Sequence, residues 1–162
     1  MNTISTAFIL VAIGLATLVG CRGEDEAEAI RLCRKAEALE KSDLKESLEL
    51  RRRIWERMPT FGTNAAAQCV RYVREKMGRM RVIITRDETG AKESVDACAW
   101  VALAMEVFEG SGKPPFRRHW AERMMETCVT VVGRAWTRRP DSSYYAEQTT
   151  RFKGLSGKST SP

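Results

Sequence analysis

Lys92-Glu93-Ser94-Val95-Asp96-Ala97-Cys98-Ala99-Trp100-Val101-Ala102-Leu103-Ala104-Met105-Glu106-Val107-Phe108-Glu109 is the most apolar segment of the chain beyond its N-terminus. Its apolar residues neither alternate, as a half-buried strand requires, nor keep to one stripe. They run nearly all round a 3.6-residue turn. A helix of that kind sits at the centre of a packed set, because every side of it needs covering. Arg86-Asp87-Glu88-Thr89-Gly90 before it reads as a turn, and Gly110-Ser111-Gly112-Lys113-Pro114-Pro115 after it as a firm loop.

The flanking sequence supplies the covering helices. Residues 117–137 place Trp120, Met124, Cys128, Val131 and Ala135 on one side, widened by Val132 and Trp136, until Arg138-Arg139-Pro140 stops the helix. Upstream, residues 64–85 carry Val70, Val73, Met77, Met80 and Ile84 at helical spacing; Val82-Ile83-Ile84-Thr85 has strand-like composition but lies at this helix's end. Residues 44–58 bring Leu44, Leu48, Trp55 and Met58 to one side, with Ser42 or Asp43 as the cap and Pro59 as the stop. Residues 24–41 begin with an acidic turn suited to a helix N-terminus and show a stripe of Ala29, Leu32, Ala36 and Leu39 beside Ile30 and Cys33. The expected fold is all-α: four to five antiparallel helices in one domain over residues 24–139. That length is enough to bury a core. From 140 to 162 the composition turns to Ser, Thr, Gly, Lys and Gln, and a disordered basic tail is expected, with Tyr144, Tyr145 and Phe152 able to pin part of it.

The formal net charge of +6 on 162 residues arises entirely from residues 111–162, where ten basic groups meet four acidic ones. Such a bias favours an anionic partner. Arg117, Arg118, Arg138 and Arg139 are the candidate anion-binding residues. Arg51-Arg52-Arg53 and Arg57 lie on an amphipathic helix among glutamates and read as salt-bridged surface. The pair Glu122/Glu126 reads likewise as a solvated face.

Signatures of catalysis are lacking. The chain has no phosphate loop, dinucleotide fingerprint, zinc-protease motif or nucleophile elbow. Gly110-Ser111-Gly112-Lys113 is followed by two prolines where a phosphate loop needs helix amides. No metal site is expected, since cysteines stand about 30 residues apart without a C-x-x-C pair, and no cofactor is expected either. His119, the single histidine, reads as a surface or boundary residue at a helix start.

The N-terminus speaks to location. Ala7 to Val19 is an apolar run of thirteen residues, short of a spanning helix, and it ends in Leu18-Val19-Gly20-Cys21. This stretch resembles the leader and lipobox of bacterial lipoproteins. The resemblance implies a signal peptide over residues 1–20, a lipid anchor and short linker over 21–23, and a Cys21 that carries a thioether-linked diacylglycerol and an N-acyl chain such as palmitate. Arg22, in place of Asp, implies the outer membrane facing the periplasm. An uncleaved N-terminal helix anchored in the inner membrane is the alternative.

A second resemblance covers part of residues 29–75. Leu44-Lys45-Glu46-Ser47-Leu48 through Trp55-Glu56-Arg57-Met58-Pro59 is similar to the second helix of a tetratricopeptide repeat, with Ser47 at the small position and Pro59 at the stop. It implies a short helical array as an alternative to a bundle.

In an exported chain, the even number of cysteines after Cys21 suggests disulfides, with three connectivities open to Cys33, Cys69, Cys98 and Cys128. Helix geometry separates them. Cys98 and Cys128 lie about equally far from the centre of their connecting loop, so an antiparallel hairpin brings them level. Cys69 and Cys98 are mismatched by nine residues, about 13 Å of helix. The expected bridges are Cys33–Cys69 and Cys98–Cys128. The first requires a fold-back at Ser42-Asp43.

The expected role is therefore a protein-binding or scaffold module of the cell envelope, held to the membrane through Cys21 and serving an envelope protein. One alternative is a small enzyme or enzyme inhibitor whose site is hidden in the sequence. Another is a membrane-anchored binder of anionic lipid, cell-wall polymer or nucleic acid through the basic C-terminal third, nucleic acid being the least favoured.

Overall fold

A computed structural model describes residues 26–57, 64–86, 89–112 and 114–156, the side chains of 64–66 excepted. The expected leader, Cys21, Met58 and Pro59 lie outside these residues. Among the described residues the chain is entirely helical: α1 (26–39), α2 (Leu44–Glu56), α3 (Asn64–Arg86), α4 (Lys92–Val107), α5 (Arg118–Arg138) and α6 (Ser143–Ser156). The segment Val82-Ile83-Ile84-Thr85 continues α3. Where the sequence suggested one helical domain, the contacts define two compact units, Met1–Val70 and Arg71–Pro162.

In the first unit α1 and α2 form an antiparallel hairpin. The chain turns back where the Asp43 backbone N–H donates to the Leu39 carbonyl, and Asp43 then caps α2 by accepting from the Glu46 N–H at 2.9 Å. Lys35–Glu46 (2.8 Å) and Glu28–Arg57 (3.0 Å) tie the two helices together at increasing distance from the turn. Between them Ser47 donates its hydroxyl to the Ala36 carbonyl at 2.6 Å, a contact that a larger side chain would prevent. Ala29, Ile54, Cys69 and Val70 make the core, with Leu32, Cys33 and Trp55 packed against it. The Cys33–Cys69 disulfide joins α1 to α3 with Cα atoms 5.8 Å apart.

The buried face of α2 differs from the expected one. It is Ser47, Leu48, Leu50, Arg51 and Ile54, with Leu44 and Trp55 at its margins. Arg51, expected on the salt-bridged surface, is 1% exposed. Its NH1 donates to the Cys69 carbonyl at 3.0 Å, and its NH2 stands 4.0 Å from the Glu40 carboxylate.

In the second unit α4, α5 and α6 pack on one another. As its composition demands, α4 is covered on most sides: Val95, Ala97, Cys98, Trp100, Val101, Ala102, Ala104 and Val107 are all buried. The Cys98–Cys128 disulfide fastens α4 to α5 with Cα atoms 5.5 Å apart. Gly90 (φ 69°) sets the chain close to α5, and a Cβ there would stand 2.7 Å from both the Ala135 nitrogen and the Val131 oxygen.

The expected disordered tail is in large part a helix. Tyr145, Gln148, Thr149, Phe152 and Leu155 form the buried face of α6. Arg151 grips Glu106 of α4 with two bonds, 2.7 and 2.6 Å, and the Tyr144 hydroxyl donates to Asp96 at 3.4 Å. Because 144 meets 96 and 151 meets 106, α6 runs parallel to α4.

Candidate anion-binding site

The second unit carries an open groove of about 570 Å³, within the usual range for ligand sites. One wall is the outer face of α3, where Arg74, Met77, Gly78 and Arg81 fall within two turns. The other is Pro114-Pro115-Phe116-Arg117 and Trp120, the end of the loop and the first turn of α5.

Each part is held by a specific contact. Arg74 donates through Nε to the Pro115 carbonyl at 2.8 Å, which ties the proline loop to α3. Phe116 rests edge-on against Phe108 at the end of α4, with centroids 5.8 Å apart. The Arg81 guanidinium lies over the Trp120 ring, 5.6 Å from its centroid, which orients the cation while leaving its in-plane N–H groups to bond elsewhere. Gly78 leaves the floor bare, as nothing lies within 4 Å of where its Cβ would stand.

The electrostatics are one-sided. Arg74, Arg81 and Arg117 line the groove, and no carboxylate does so among the described residues. The first turn of α5 contains no acidic residue and its N-cap, Arg117, makes no side-chain cap bond. The positive end of that helix therefore adds to the three guanidiniums. A negatively charged group entering here meets cations and an apolar wall that lowers the local dielectric.

The four expected anion-binding arginines do not act together. Arg117 lines the groove, whereas Arg118 turns away to pair with Glu122 at 3.1 Å. Arg138 and Arg139 are exposed at the far end of α5, about 30 Å of helix away. Arg74 and Arg81 were not anticipated. Their signal was available in the seven-residue spacing, two turns of one helix face, but only the folding of the proline loop across α3 makes that face a site. Arg57 and Arg52 pair with Glu28 and Glu56, as surface arginines do.

Two other candidate features resolve as structure. Glu122, expected on a solvated face, is buried beside a cavity of about 30 Å³, which has room for water and is too small for a substrate. His119 is exposed, and Cys128 is engaged with Cys98. Among the described residues no group of three or more His, Cys, Asp or Glu could hold a metal ion, and no helix is long and apolar enough to cross a membrane. Comparison with protein-family models, with curated proteins and with solved structures finds no match to this chain.

Proposed function

We propose that this chain is a lipid-anchored binding module of the bacterial cell envelope, facing the periplasm, whose groove takes an acidic segment of a partner protein. The observation that carries the reading is the groove itself: three arginines and a helix N-terminus on one side of the charge balance, set against Met77, Pro115, Phe116 and Trp120. Guanidiniums bind carboxylates bidentately, and aromatic and arginine side chains are the groups most often found at the energetic centre of protein interfaces. The anchor rests on Leu18-Val19-Gly20-Cys21, and two disulfides in a chain of this size suit an oxidising compartment.

The test uses the full chain in detergent and a fluorescent peptide that alternates glutamate with phenylalanine. Binding is expected to weaken steeply as salt rises. Gly78→Leu should abolish it by filling the floor, at no cost to the fold, since leucine is the better helix former by about 0.8 kcal/mol. Peptide binding that survives Gly78→Leu would sink the reading, and salt-sensitive binding to anionic vesicles by that variant would move the activity to the general basic surface. In cells, Cys21→Ala should lose palmitate labelling and membrane attachment.

A further inference from the structure

The two disulfides stand in contrasting surroundings. Cys98 and Cys128 are both fully buried at 0% exposure. In the other bridge, Cys69 is buried but Cys33 is only half-buried on α1. The two sulfurs of this second bridge also differ in charge environment. Arg51 NH1 lies 3.5 Å from the Cys69 Sγ, within a guanidinium buried to 1% exposure. The Glu37 carboxylate lies 4.0 Å from the Cys33 Sγ.

We infer that Cys33–Cys69 is a thiol-exchange site, opened from the Cys33 side by a dithiol reductant with Cys69 as the leaving group. Exchange requires access to one sulfur and a stabilised thiolate on the other. Cys33 is the more exposed cysteine of the pair. Stabilisation exists at Cys69, where the buried Arg51 guanidinium holds the Glu40 carboxylate 4.0 Å from NH2 and turns NH1 toward the sulfur that takes the developing negative charge. A thiolate of the dithiol attacks Cys33 Sγ and forms a mixed disulfide. The Cys33–Cys69 bond breaks and its electron pair leaves on Cys69 beside Arg51. The second thiol of the reductant, losing its proton, then attacks the reductant's sulfur in the mixed disulfide. Cys33 departs and is protonated, and the dithiol has become a disulfide. Two electrons have passed to the cystine. The same steps in reverse close the bond. Glu37 repels an anionic attacker and so slows reagents such as glutathione, whose thiolate carries additional negative charge.

The experiment treats the native chain with limiting glutathione or dithiothreitol, quenches with an alkylating agent and maps the cysteines by peptide mass. Cys33 and Cys69 should be alkylated at least about tenfold faster than Cys98 and Cys128. Glutathione should be trapped on Cys33 with Cys69 free, and Glu37→Gln should speed its attack by about two- to threefold. Arg51→Met should slow opening by about tenfold and Arg51→Lys should restore most of the rate. Should Arg51→Met fail to fold, the native chain with only this bridge reduced decides: one thiolate, seen at 240 nm, should form below the pH of about 8.5 at which free cysteine ionises. Trapping on Cys69, earlier opening of Cys98–Cys128, equal rates in folded Arg51→Met, or no thiolate below that pH would each overturn the assignment.

Discussion

Gly90 shows how one position constrains the second unit. Its φ of 69° is a conformation that L side chains rarely adopt, and a Cβ would press on the α5 backbone at Ala135 and Val131 rather than on a yielding side chain. Gly90→Ala therefore combines backbone strain with overpacking and should cost about 2–4 kcal/mol, read as a lowered urea midpoint. Tyr144 offers a gentler probe. Burial, with the Asp96 carboxylate accepting its hydroxyl, holds its ionisation above the ordinary value of 10.0. The folded state thus prefers the neutral phenol. The resulting stability is complete below pH about 10 and is lost as pH rises through the folded-state value. In an alkaline titration at 295 nm the late ionisation of Tyr144 should disappear in Tyr144→Phe, and the stability difference between the two proteins should shrink above pH 10. Single residues also mark where sequence reading reaches its limit. Arg51 sits between Leu50 and two further arginines, a context that says surface. Its burial depends on α3 arriving 18 residues later to offer the Cys69 carbonyl.

At the scale of elements, the five helices between 26 and 138 were legible because each advertises a run of apolar residues at helical spacing, ended by proline, glycine or a charged turn. The sixth, α6, does not advertise itself. Two of the five positions on its buried face are Gln148 and Thr149, and Thr149 is satisfied locally by donating to the Tyr145 carbonyl at 2.7 Å. Its polar partners on α4, Glu106 and Asp96, lie 45 and 48 residues away in sequence and are invisible to any local window. Phe152, fully buried, is the anchor of this helix. Phe152→Ala should cost about 3–5 kcal/mol, and hydrogen exchange should show lost protection across α6 first. The groove follows the same logic. Arg74 and Arg81 were readable as a shared helix face, whereas the proline loop that walls it off is a tertiary event.

Taken as a whole molecule, the chain keeps one disulfide in each compact unit. Removing the second, as Cys98→Ala/Cys128→Ala, should lower stability by about 2–4 kcal/mol. Exchange measured by mass should place the lost protection between residues 92 and 156 and leave amides of α1 and α2 near Cys33 unchanged. The Cys98–Cys128 bridge was foreseeable from its loop, whose centre the two cysteines flank at equal distance, whereas Cys33–Cys69 followed by elimination once α1 and α2 fold back on each other. The pairing has another property. Of the four cysteines after Cys21 the first pairs with the second and the third with the fourth, so the two covalent loops neither overlap nor interlock. A polypeptide emerging N-terminus first from a pore presents these cysteines in the order in which they pair. The first loop can close before any cysteine of the second has appeared. An oxidant acting on each new pair as it emerges would therefore reach the native pattern directly, without an isomerase to correct it.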